Sequence, residues 1–90
     1  VRRKSALGQT LQDRQRKEQE IAVIDQEQNR IRQNMQQLPK ESDLYTRYVK
    51  KFSEQEDRIE TLRKEIAALQ TQEAKQRKEL NDYLMDLDLS

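Results

Sequence analysis

Tyr45, Tyr48, Phe52, Gln55, Ile59, Leu62, Ile66, Leu69, Glu73, Gln76, Leu80, Tyr83 and Leu87 follow one another at alternating steps of three and four residues. Ten of these thirteen positions are apolar or aromatic. A repeat averaging 3.5 residues lays one narrow apolar seam along one side of a long helix. Such a seam is too narrow to enclose a globular core, and another helix must cover it.

The first half of the chain carries a second seam: Leu7, Thr10, Arg14, Lys17, Ile21, Ile24, Gln28, Ile31, Met35 and Leu38. It is strong from Ile21 to Leu38 and weak before that, where Arg14 and Lys17 hold seam positions. Between the two seams the chain reads Leu38-Pro39-Lys40-Glu41-Ser42-Asp43-Leu44. Pro39 cannot continue a helix without losing a backbone hydrogen bond and clashing with the preceding turn, and it disfavours helical geometry at Leu38. Ser42 or Asp43 can cap the next helix. The expected fold is therefore all-α: one antiparallel coiled-coil hairpin with helices at 5–37 and 43–87 and a turn at 38–42. A connection this short favours antiparallel neighbours.

An alignment of the seams follows. Met35 opposite Tyr48 sets Ile31 against Phe52, Ile24 against Ile59 and Ile21 against Leu62. Gln28 then faces Gln55, and two buried amides bonded to each other would penalise slipped registers. These ten residues form the expected hairpin core. Tyr45, Tyr48 and Phe52 are expected to close the turn end against Ile31, Met35 and Leu38, with a sulfur–aromatic contact for Met35. The same alignment puts Glu27 beside Arg58 and, less favourably, Glu20 near Glu65. It also brings Arg2, Arg3 and Lys4 alongside Asp82, Asp86 and Asp88.

Composition decides what this shape is not for. Charged residues make up 39% of the chain, yet the net charge is only +1. Interleaved signs leave no strong field to recruit nucleic acid or an anionic membrane. No run of apolar residues approaches a membrane span. With no His and no Cys, the chain lacks an imidazole base, a thiolate nucleophile and soft metal ligands. The lone Gly8 rules out a glycine-rich phosphate loop. Carboxylates at helical spacing, such as Glu54 and Asp57, read as a solvated face. No catalytic residue, cofactor site or metal site is expected. No feature marks a compartment: there is neither a cysteine framework nor a signal-peptide pattern. The chain starts at Val1, and we read it as a fragment of a longer protein.

One feature exceeds a self-contained hairpin. Ile66, Leu69, Leu80, Tyr83, Leu84 and Leu87 prolong the second seam where the first helix offers Lys17, Arg14, Thr10 and Leu7, and beyond about residue 79 little of the first helix remains. Apolar surface of this kind usually marks a protein contact. These six residues are the expected interface, for a homodimer or for other domains of the parent chain.

The stretch Glu27-Gln28-Asn29-Arg30-Ile31-Arg32-Gln33-Asn34-Met35, with Ser42-Asp43-Leu44-Tyr45-Thr46-Arg47-Tyr48 and Tyr83-Leu84-Met85-Asp86-Leu87, resembles the C-terminal coiled-coil region of a group of uncharacterised bacterial proteins related to the mucoidy-inhibitor-like proteins. The resemblance covers roughly residues 17–89. It implies a helical tail following β-rich domains, and it brings no catalytic residues. The function expected is a structural or interaction module, an antiparallel arm for dimerisation or domain docking. The alternative is a nucleic-acid-binding arm similar in outline to that of seryl-tRNA synthetases, to which Arg2-Arg3-Lys4 and Arg14-Gln15-Arg16-Lys17 would contribute. That reading needs a one-sided cationic face, whereas these stretches are diluted by Asp13, Glu18 and Glu20. A prefoldin-like arm is a third, weaker reading, since the tip Pro39-Lys40-Glu41-Ser42 is polar.

Overall fold

A computed structural model describes residues 2–89, and the side chains of residues 5–87. Helix α1 spans Arg2–Gln36 and helix α2 spans Asp43–Leu89. They pack on each other as an all-α hairpin measuring 73 × 15 × 15 Å. No strand occurs among the described residues. At 1.5 Å per residue, α2 alone is about 70 Å long, so the molecule is as long as its longer helix.

The turn follows from local chemistry. The α1 ladder ends in tightened bonds, Gln37 N to Asn34 O and Leu38 N to Met35 O, both 3.2 Å. Pro39 has no N–H to extend that ladder. Its carbonyl instead accepts from the Ser42 N–H (3.1 Å) and from Ser42 Oγ (2.8 Å). Ser42 Oγ in turn accepts the N–H of Tyr45 (3.2 Å), capping α2 at one of its otherwise free donors. Asp43 supplies an anion to the first turn, where the helix dipole favours it. No described non-glycine residue needs a positive φ to make this reversal.

The buried residues trace the two seams. Ile31 and Leu62 are fully buried, and Ile59, Leu7, Thr10 and Gln28 are nearly so. Ile21, Ile24, Met35, Tyr48, Phe52 and Gln55 are half-buried, as expected when only one helix covers each seam. Cross-helix contacts keep to the expected alignment: Gln28 reaches Glu56, Arg32 lies over Phe52, and Asn34 reaches Tyr48.

Three expectations are corrected in detail. Helix α1 starts at Arg2 rather than residue 5 and ends at Gln36 rather than 37, while α2 continues to Leu89 rather than 87. The N-terminal part of the first seam closes well despite its polar content. Thr10 turns its hydroxyl back onto Ala6 O (3.0 Å), which leaves its methyl for the seam. Finally, Gln28 and Gln55 do not bond to each other as expected. The Gln28 amide donates to Glu56 Oε1 (3.0 Å), and Gln55 Oε1 is buried without a hydrogen-bond partner. Gln76 Oε1, three heptads further along α2, is in the same position.

Candidate association surface

The flanks of the seam carry an ion-pair network that differs from the expected pairing. Glu20 takes Arg58 through two bonds, to Nε at 2.7 Å and Nη2 at 3.1 Å. Glu27 takes Lys51 at 2.6 Å. Glu65 is left to Lys17, with Arg58 at 4.0 Å on its other oxygen. The expected Glu27–Arg58 pair and the Glu20–Glu65 clash are therefore both replaced. Long side chains lean along the helix axis and reach partners about one turn away from the nearest backbone position.

Arg14 and Lys17 occupy seam positions but are not buried as charges. Arg14 Nε donates to Glu73 Oε2 at 2.9 Å, and its Nη1 reaches Glu18 at 2.6 Å. Arg77 takes the other Glu73 oxygen at 3.2 Å. Their side chains keep 22% and 28% of their surface exposed, the partial cover that long stems can give apolar surface while their heads reach water. Ile66 and Leu69, opposite them, are half-buried.

These pairings move the titrations. Hydrogen bonds from Arg58 to Glu20 and from Lys51 to Glu27 hold both carboxyls below the ordinary carboxylate value. Desolvation pushes Glu73 up, but the bonds from Arg77 and Arg14 outweigh it and its net shift is downward. Arg14 and Arg58 are raised, chiefly by hydrogen bonds to Glu18 and Glu20 respectively.

At the turn end, Asn34 Nδ2 donates to the Tyr48 hydroxyl at 3.3 Å. The Arg32 guanidinium carbon stands 5.0 Å from the centre of the Phe52 ring, close enough for a cation–π contact. Shallow surface hollows flank this end, one lined by Arg32, Met35, Val49 and Phe52, another by Asn34, Gln37, Leu38, Leu44 and Tyr48. Leu44 and Val49 are exposed there on separate flanks.

The opposite end, the base of the hairpin, is different. Helix α2 continues about 12 Å past the level at which α1 begins. Leu80 is half-buried. Beyond it Tyr83 is 42%, Leu84 48%, Met85 62% and Leu87 52% exposed. This is the densest exposed apolar cluster among the described residues. Of the six expected interface residues, Ile66, Leu69 and Leu80 therefore lie partly within the hairpin, while Tyr83, Leu84 and Leu87 lie on its surface. Met85 was missed because it falls off the heptad seam, and only its place in an apolar run could have signalled it. The expected meeting of Arg2, Arg3 and Lys4 with Asp88 involves side chains outside the described residues.

Among the described residues, no group of three or more His, Cys, Asp or Glu residues is placed to hold a metal ion. No described helix is long and apolar enough to cross a membrane. No protein-family model matches the chain, and neither does any curated protein or solved structure.

Proposed function

We propose that this chain is a non-catalytic coiled-coil arm whose base is an association surface, used to form a homodimer. The observation that carries this reading is the exposed cluster Tyr83, Leu84, Met85 and Leu87 on an otherwise charged rod. In a longer parent chain, other domains could dock on the same base, as the resemblance to helical tails implies.

The nucleic-acid reading draws no comparable support. Arg14, Lys17, Lys51, Arg58 and Arg77 are engaged with carboxylates, so a phosphate backbone would have to compete for them. Sedimentation equilibrium over a wide concentration range tests the proposal. A concentration-dependent shift from monomer to dimer is expected. A chain that stays monomeric at the highest concentrations would overturn it.

A further inference from the structure

We infer that the turn end of the hairpin is a second docking surface, which takes an acidic segment of a partner protein along one flank, against Arg30 of α1 and Arg47 and Lys51 of α2. It lies at the opposite end of the rod from the base and does not depend on association there.

The near-neutral total conceals an uneven distribution. Residues 28–53 hold six basic and two acidic residues, a net charge of +4 in a chain whose total is +1. Among the described residues, Lys40, Arg47 and Lys50 make no ion pair.

Part of that charge gathers on one flank. Glu27, Arg30, Asn34 and Gln37 follow at steps of three, four and three on α1, and Leu44, Arg47 and Lys51 at three and four on α2, so each set shares one face of its helix. Two cross-helix contacts bring these faces to the same side of the seam: Lys51 reaches Glu27 at 2.6 Å, and Asn34 donates to the Tyr48 hydroxyl at 3.3 Å. Between them lies the shallow hollow lined by Asn34, Gln37, Leu38, Leu44 and Tyr48. Glu27 is the one acid in the two rows, and Lys51 and Arg30 already share it. Three cations therefore stand against one carboxylate, beside an exposed leucine, Leu44. Glu54 follows Lys51 in the next turn and bounds the patch.

Charge complementarity selects an acidic partner, and the apolar floor of the hollow selects a peptide among polyanions. Such a segment sets its carboxylates against Arg30, Arg47 and Lys51 and one aliphatic side chain against Leu38 and Leu44. A phosphate backbone has no group for that floor. Nor is an aromatic face open for a base to stack on, since Tyr45 and Tyr48 are half-buried and Phe52 lies under Arg32. An anionic membrane would need its apolar contacts on one face, whereas Leu44 and Val49 lie on separate flanks.

Fluorescence anisotropy with the full chain makes the test. The probe is a labelled, capped peptide of glutamates with leucine at every third or fourth position. Saturable binding that weakens as salt rises is expected. Arg47→Glu removes a cation with no partner of its own and should weaken binding by about tenfold or more. Arg63→Glu, the same charge change at an exposed site on α2 beyond the turn end, should leave binding within about twofold of the unchanged chain. Leu44→Gln should reduce the affinity to that of an all-glutamate peptide. Circular dichroism should show the helices kept in all three variants. No binding, or equal losses from Arg47→Glu and Arg63→Glu, would overturn the site. So would tighter binding of a short DNA duplex, or of phosphatidylserine vesicles, through Arg47. None of these outcomes bears on association at the base.

Discussion

Gln55 holds a seam position with its side-chain oxygen buried and unbonded, and Gln55→Leu is therefore expected to stabilise the hairpin. The neighbouring Gln28 is 2% exposed but bonds to Glu56, so it does not relieve Gln55. A buried acceptor without a partner costs about 1–3 kcal/mol. Leucine removes that acceptor and adds apolar surface between the layers of the fully buried Ile31 and the nearly buried Ile59. Only one side of the seam is covered by a helix, so the lower half of that range is expected, about 1–2 kcal/mol. For a domain of this size each kcal/mol moves the midpoint by about 4–8 °C, giving a rise of about 4–16 °C. Thermal melts followed by circular dichroism at one fixed protein concentration measure it, since association also shifts the midpoint. A midpoint that is unchanged or lowered would refute the reasoning, because Gln55 would then have a partner or lie in water. The accompanying loss should be in specificity, since a polar seam residue penalises slipped alignments.

Four further outcomes follow from the same contacts. Ile59→Ala, at a nearly buried seam position, should cost about 2–4 kcal/mol, whereas Glu54→Ala on the solvated face should change stability by less than about 0.5 kcal/mol; denaturant melts compare them. Gln76→Leu should stabilise in the same direction as Gln55→Leu, since its oxygen is likewise buried and unbonded. Glu20, Glu27 and Glu73 are held below their ordinary value when folded, so the unfolded chain binds protons first as pH falls. The stability they contribute is present above about pH 4.5 and is lost as pH drops through the lowered folded values, and Glu20→Gln should flatten that part of a melting-temperature profile against pH. High salt should weaken these exposed pairs without unfolding the seam, seen as a small drop in midpoint with helicity retained.

The hairpin was legible in the sequence because its determinants are local and periodic. The three-four spacing places Ile24, Ile31, Ile59 and Leu62 on facing seams, Pro39 stops α1, and Ser42 caps α2. The exposed base was legible for a related reason, since Tyr83, Leu84 and Leu87 continue a stripe past the point where α1 has polar residues to offer. What could not be read was decided by side-chain reach. Glu20 and Arg58 look mismatched when residues are compared level with one another, yet their side chains lean along the axis and meet at 2.7 Å. Gln28 was aligned with Gln55, but it bonds instead to Glu56, the next residue along α2, and a charged acceptor makes the stronger bond. Thr10 looks polar as a letter, but its hydroxyl is absorbed by Ala6 O and the residue is buried.

The central claim is that the base associates while the rest of the hairpin stands without it. Leu80→Glu combined with Leu84→Glu tests this most directly, because both changes lie at the base and neither touches the buried layers of Ile31, Ile59 and Leu62. Sedimentation equilibrium and circular dichroism on the double variant and the unchanged chain, at matched concentrations, are the measurement. The account predicts a dimer for the unchanged chain and a monomer for the variant, with the helical signal of the hairpin kept in both. A variant that still dimerises, or one whose helices melt away with the dimer, would contradict it.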